Sequence, residues 1–295
     1  RTMKPIDSKL ALLSPVAGRP SPRPDLPTDR FLPESHQEGP RWGLIGLGAL
    51  GVLAAGTGMV QAQVQSQPPM VVAHRGETDH ARENSLEAFR QALKDGADAV
   101  ELDIHLTSDG DLAVIHDDTL DRTHGVPGVV RQMSSEQLRA LDVPMLSDVL
   151  ALPDCKFIIE IKHPHGGRHS GIEPILIEQL QSSQTQERAV VISFDETTLK
   201  TLHQLEPELT TGYLYSGKNL DPQKTRDELG VTYLGPHFSA VTEQYVEKAH
   251  QAGMKVNPWT VNEEKDLKHM LDLGVDAITT DSSGDLVEML LSPRA

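Results

Sequence analysis

Eight short apolar runs, most of them separated by amphipathic helical stretches, constrain this chain more than any other feature of its sequence. They lie at 70–73, 99–104, 157–161, 189–193, 211–214, 231–234, 254–259 and 276–280. That length suits strands buried on both faces. Helical patterns at 85–94, 242–251 and 262–273 end on Gly96, Gly253 and Gly274. Glycine adopts the left-handed turn after a helix at little cost. Strand–helix alternation implies a parallel sheet, and eight repeats predict an α/β fold of the closed (β/α)8 TIM-barrel type. A doubly wound open sheet is the alternative. The connection between Ile104 and Phe157 departs from the repeat, with a candidate hairpin strand at 112–115 and a short helix at 134–141. A small insertion of this kind, after the second strand, is expected on an active-site rim.

The N-terminal quarter has a different character. Residues 1–41 are rich in Pro, Ser, Asp and Arg and read as disordered. Residues 42–60 carry no charge, and as a helix would be about 28 Å long, enough to cross a bilayer core. Arg41 precedes the run and no Lys or Arg follows until Arg75, which directs the large domain away from the cytoplasm. Val60-Gln61-Ala62 has small residues at the spacing favoured by signal peptidases. The expected organisation is a disordered region 1–41, a signal peptide or transmembrane anchor 42–62, a linker 63–70 and a barrel domain 71–293. The protein is expected to be exported to the periplasm or the extracellular space, either cleaved or tethered to the membrane through 42–60.

Charge narrows the partners. Residues 1–62 carry a net charge of +2 and the remainder −18. An acidic surface repels nucleic acid, so no nucleic-acid partner is expected, and nothing indicates a protein partner. Cys155 is the one cysteine, so no intrachain disulfide can form. Just before an apolar run, it reads as a packed thiol rather than a nucleophile.

In such a barrel the reactive groups project from the C-terminal ends of the strands. Polar residues gather there: His74-Arg75-Gly76, Glu101-x-Asp103, Glu160-x-Lys162 and Trp259-Thr260-Val261-Asn262, with His116-Asp117 after the hairpin strand. Residues at i and i+2 share a strand face. Glu101, Asp103 and Glu160, crowded on neighbouring strands, would repel one another unless a cation joined them. Oxygen-only ligands select one hard divalent ion, Mg²⁺ or Ca²⁺, over Zn²⁺. With Arg75 and Lys162 they form a cradle for phosphate. His74 and His116 are then the candidate proton donor and acceptor for cleaving a P–O bond. His163, His165 and His169, near Gly166, Gly167 and Gly171, read as a polar active-site loop rather than a transition-metal site.

These motifs extend to Glu83-Asn84-Ser85, His116 through Thr123 and Gly274 through Asp281. In this order they resemble the glycerophosphodiester phosphodiesterase family, from Val71 to about Leu291. The resemblance implies a (β/α)8 barrel that hydrolyses glycerophosphodiesters to an alcohol and sn-glycerol 3-phosphate with one divalent metal. It assigns Glu101, Asp103 and Glu160 to the metal, His74 and His116 to acid/base catalysis, and Arg75 and Lys162 to phosphate. It further implies that Glu83 and Asn84 support the site and that Trp259 lines the pocket. A route in which the substrate's own hydroxyl attacks phosphorus, giving a cyclic phosphate that water opens, belongs to the same implication. Arg82 stands where the family commonly has proline, and 143–148 departs from its usual Pro-Thr-Leu-Glu-Glu pattern. Two other functions fit the same residues: a membrane-associated lysophospholipase D, and a non-catalytic barrel that binds phosphodiesters.

Overall fold

The computed structural model describes residues 68–292. The disordered region, the signal or anchor helix and most of the linker expected from the sequence lie outside the described residues. Among the described residues, no helix is long and apolar enough to cross a membrane.

Eight parallel strands run in the order expected of a barrel: β1 (Met70–Ala73), β2 (Ala99–Leu106), β4 (Lys156–Ile161), β5 (Ala189–Ser193), β6 (Thr211–Tyr215), β7 (Tyr233–Pro236), β8 (Lys255–Val256) and β9 (Ala277–Thr280). β1 lies between β2 and β9, so first and last strands are neighbours. The remaining seam closes through individual hydrogen bonds. Asp276 N–H donates to the Val256 carbonyl (3.0 Å), Thr279 N–H to the Pro258 carbonyl (3.1 Å), and Val261 N–H to Thr279 O (3.0 Å). The Asp276 carboxylate also accepts the Val256 N–H at 2.8 Å. The sequence pattern predicts a strand over 254–259, but regular pairing stops after Val256. Pro258 has no N–H to give the ladder, which breaks the strand at the seam.

Strand parity sorts the core. Inward positions Val72, Ala99, Ile158, Ile192, Leu214 and Ala277 fill the barrel floor. Outward positions such as Val71, Val100, Leu102, Ile159 and Val191 pack beneath the helices. Helix α1 (Leu86–Lys94) is one example. Ser85 caps it by accepting the Ala88 N–H at 3.1 Å, and its buried face is Ala88, Phe89 and Ala92. Burying Phe89 contributes roughly 1.5–3 kcal/mol. The close seating of α1 requires Gly76, whose φ is +87° and where a Cβ would lie 2.7 Å from Ala88.

The insertion after β2 carries its own small core of Ala113, Ile115, Leu120, Val130, Leu138, Val143 and Met145. It comprises β3 (Leu112–Val114), α2 (Asp121–His124), α3 (Ser135–Arg139) and α4 (Leu146–Leu150). β3 pairs antiparallel with the upper half of β2, Val114 opposite Ile104. The pairing continues one step lower, where Ile115 N–H donates to Asp103 O at 3.0 Å. The departure at 143–148 lies in this insertion core: Asp148 accepts the Met145 N–H (2.9 Å) and pairs with Arg139. Arg82 donates to the Asp142 carbonyl at 2.7 Å, a loop contact as its position suggests. The other outer helices are α5 (Ile172–Ser182), α6 (Glu196–Leu205), α7 (Pro222–Leu229), α8 (Glu243–Gln251), α9 (Glu264–Asp272) and α10 (Ser283–Leu291).

Candidate active site

The parity that fills the barrel floor also builds the site. Two residues above Val72 comes His74; above Ala99 come Glu101 and Asp103; above Ile158 come Glu160 and Lys162; above Ile192 comes Phe194. On β1, β2 and β4 the inward side chains therefore change from apolar to ionisable within one pleat, at the C-terminal end of the barrel. His74, Arg75, Glu101, His116, Glu160, Lys162, Phe194 and Trp259 line one cavity of about 210 Å³.

Asp103 and Glu160 are register partners across β2 and β4. Oxygens of Glu101, Asp103 and Glu160 all lie within 4.8 Å of one another. All three are buried, Asp103 completely. Burial raises the Glu101 pKa well above its usual value, and the neighbouring Asp103 and Glu160 charges add to the shift. Burial and Asp103 likewise push Glu160 up to about 7. Asp103 differs: burial opposes its charge, but Lys162 and Arg75 outweigh burial and lower its pKa. Asn84 donates to Asp103 Oδ2 at 2.8 Å and accepts the Asp103 N–H at 3.2 Å. Asp103 Oδ1, however, is buried with no hydrogen-bond partner. An orphaned carboxylate oxygen beside two carboxyls that resist ionisation is the donor set a hard divalent cation fits.

Two cations border the carboxylates. Lys162 Nζ lies 3.0 Å from Glu160 Oε1 and 3.6 Å from Asp103 Oδ1. Arg75 Nη1 donates to Glu83 at 3.1 Å, and Arg75 Nε lies 3.3 Å from Asp103 Oδ2. Burial disfavours both charges, yet the surrounding carboxylates win and raise both pKa values. Arg75 and Asn84 adopt left-handed backbone, φ 60° and 57°. The turn aims the Arg75 N–H at Glu101 Oε2 (3.0 Å), while the Arg75 carbonyl accepts the Asn84 N–H (2.9 Å). Such strain concentrates at functional sites.

The two histidines are held alike. His74 Nδ1 lies 2.6 Å from Asp281 Oδ1, and Asn262 donates to the other Asp281 oxygen at 2.6 Å. Burial opposes the Asp281 charge, but these bonds outweigh it and lower its pKa. His116 Nδ1 lies 2.7 Å from Asp117 Oδ1. Arg122 bonds both Asp117 and Glu83 and holds the Asp117 pKa down to about 2. A carboxylate only accepts, so Nδ1 carries the proton in both rings and Nε2 is left for chemistry. Burial, only partly offset by Asp103, lowers the His116 pKa and so favours the neutral ring.

Seven of the ten site residues read from the sequence line this cavity, and Asp103, Glu83 and Asn84 stand behind them. Glu83 bonds Arg75 and Asn84 bonds Asp103, and Trp259 is fixed by its indole N–H donating to Gly235 O at 2.8 Å. Phe194 meets the Trp259 ring edge-on, centroids 5.4 Å apart. The orienting residues Asp117, Arg122, Asn262 and Asp281 stand inside the sequence motifs, yet nothing in the motifs gives them a role. His163, His165 and His169 diverge: His163 Nε2 lies 3.3 Å from Thr198 Oγ1, the His165 N–H donates to Asp118, and His169 meets His105. Among the described residues the carboxylate trio is the cluster able to hold a metal. Cys155 is buried far from the cavity lining, its thiol pushed up to about 11 by burial, as suits a packed side chain.

Comparison with known proteins agrees with this geometry. A family model described as the glycerophosphoryl diester phosphodiesterase family matches residues 74–285. The chain is 33% identical over 236 residues to a glycerophosphodiester phosphodiesterase of Caldanaerobacter subterraneus, covering 75% of this chain and 97% of that protein. It is 35% identical over 229 residues to one of Bacillus altitudinis, covering 72% and 94%. An Oleispira antarctica phosphodiesterase, solved with the product sn-glycerol-3-phosphate, superposes with a TM-score of 0.69 at 26% identity, covering 76% of this chain and 98% of that one. With its site built on the ends of the barrel strands and the match running from His74 into the start of α10, this chain belongs to the glycerophosphoryl diester phosphodiesterase family.

Proposed function

We propose that the enzyme hydrolyses small glycerophosphodiesters to an alcohol and sn-glycerol 3-phosphate, using His74 and His116 for proton transfer and Glu101, Asp103 and Glu160 to hold one Mg²⁺ or Ca²⁺. One observation carries the reading: two histidines, each with Nδ1 tied to an aspartate, face the same cavity as the three carboxylates. The product named in the Oleispira antarctica structure is of the same chemical class.

A divalent cation bound there would polarise a phosphoryl oxygen and neutralise charge. Arg75 and Lys162 complete a positive wall against the phosphate. One histidine accepts the proton of the attacking hydroxyl at a bare Nε2, while the other, doubly protonated, donates its Nε2 proton to the leaving alkoxide. In the route implied by the family resemblance, the first nucleophile is the substrate's own neighbouring hydroxyl. The two histidines then exchange roles as water opens the cyclic phosphate. Trp259 and Phe194 supply an apolar wall for the glycerol or the departing alcohol. The cavity, about 210 Å³, is smaller than the roughly 300–1,000 Å³ of drug-sized ligand sites. That favours a compact diester over a lysolipid with its acyl chain.

The protein incubated with Mg²⁺ or Ca²⁺ is expected to release glycerol phosphate from several glycerophosphodiesters, and EDTA to stop the release. Binding without release would instead support a binding barrel, and turnover confined to lysolipids a lysophospholipase D. Asp281→Asn keeps the shape but lets His74 take the wrong tautomer, so kcat is expected to fall by about 10²-fold or more. A kcat within threefold of wild type would remove Asp281 from the mechanism.

A further inference from the structure

His105 is the next inward position of β2 above Glu101 and Asp103, and the proposed chemistry gives it no part. It is 1% exposed. Its Nε2 lies 3.0 Å from the backbone carbonyl oxygen of His116, and its Nδ1 lies 2.9 Å from Nε2 of His169. The two imidazoles meet edge to face, with an interplanar angle of 82°. A carbonyl only accepts, so the proton of neutral His105 sits on Nε2 and is donated to His116 O. Nδ1 of His105 is then bare, and the His169 Nε2–H donates to it. Burial and the neighbouring His105 push His169 down to about 4, which keeps its ring neutral. Geometry therefore places every proton of the pair.

The strut joins three pieces of the site. His116 leaves the sheet immediately after the Ile115–Asp103 bond, so its main chain has no further ladder partner to hold it. On its open side the ring leans on Asp117 and through it on Arg122, whose side chain is 49% exposed. On its buried side the peptide leans on His105. His169 belongs to the loop that follows Lys162, so the same line of bonds ties the β4 loop to the catalytic peptide.

We infer that His105, braced by His169, is a positioning residue: it fixes the main chain of His116 and so the reach of that ring into the cavity. The inference rests on His116 being half of the acid/base pair. Misplacing a catalytic group by about 1 Å costs up to 10²-fold in rate, whereas a merely packed pair would affect stability alone.

Two polar substitutions separate these roles. Glutamine at 105 can bring an amide N–H to where the imidazole Nε2 sits, so His105→Gln keeps the donor to His116 O. Asparagine is shorter and faces His169 but does not reach His116. Asparagine opens the larger cavity, so His105→Asn should lose more thermal stability, and the kcat of the folded protein is what separates the roles. His105→Asn is expected to lower kcat at least tenfold with KM changed less than threefold, and His105→Gln to stay within threefold of wild type. Combined with His116→Ala, His105→Asn should cost nothing further. Equal kcat for the two variants would overturn the positioning role. Should either fail to fold, His169→Gln against His169→Ala carries the same contrast, with activity kept by the first and lowered by the second. Near-normal turnover in His116→Ala itself would sink the acid/base reading. An inactive His116→Ala beside a fully active His105→Asn would sink the strut alone.

Discussion

His74→Ala is expected to lower kcat by about 10³-fold, with His116→Ala close behind, because a positioned proton donor or acceptor is worth roughly 10²–10⁴-fold. Neither ring carries the fold. Side-chain exposure is 19% for His74 and 30% for His116, so truncation opens no sealed core cavity. Thermal midpoints should therefore stay near wild type while turnover collapses. A substrate with a phenolate leaving group sorts the two roles, since that group departs without a proton. The variant lacking the donor should then recover most of its rate of phenolate release in the first step, and the variant lacking the acceptor should not. Turnover within tenfold of wild type in either variant, on an alkyl substrate, would remove that histidine from the acid/base pair.

Glu160→Gln should abolish measurable turnover and, in cation-free protein, stabilise the fold at alkaline pH. The sign follows from linkage. The folded-state pKa of Glu160 is raised from 4.5 to about 7 by burial and by Asp103. The folded state thus prefers the protonated carboxyl. Stability from this group is full below the unfolded pKa and is lost as pH rises through about 7, by ~3 kcal/mol in total. Wild-type protein stripped of cations should melt at lower temperature at pH 8 than at pH 5, and Mg²⁺ or Ca²⁺ should restore the midpoint at pH 8. Glu160→Gln cannot ionise, so its midpoint should vary less with pH and respond less to the cations. A wild-type midpoint indifferent to cations at pH 8 would contradict the ion assignment.

Much of this was legible in the chain. Five of the eight barrel strands fall within a residue of the predicted bounds, and the glycines at 96, 253 and 274 take left-handed φ after their helices. The runs at 99–104, 231–234 and 254–259 fit less well. β2 continues to Leu106 because the β3 hairpin pairs with its upper end. β7 sits two residues later than predicted, because Gly235 and Pro236, poor strand formers by composition, are recruited by pairing with Leu214 and Tyr215. β8 is cut short by Pro258.

Properties carried by local spacing could be read from the chain alone. Alternation set the parallel strand–helix repeat, and the i, i+2 carboxylates on β2 set Glu101 and Asp103 on one face with an apolar floor beneath them. Tertiary structure alone decided the distances between segments far apart in sequence. His116 reaches the cavity because β3 turns back along β2 and Ile115 bonds Asp103 O, a register that no local pattern encodes. Asp281, 207 residues from His74, becomes its orienting partner only when β9 closes beside β1. His105 lies one residue past the strand expected at 99–104, and it gains its role only where His169 and the His116 carbonyl arrive from two other loops. Local periodicity follows from backbone geometry within a few residues, whereas these contacts depend on how the barrel closes, and closure is a property of the whole core.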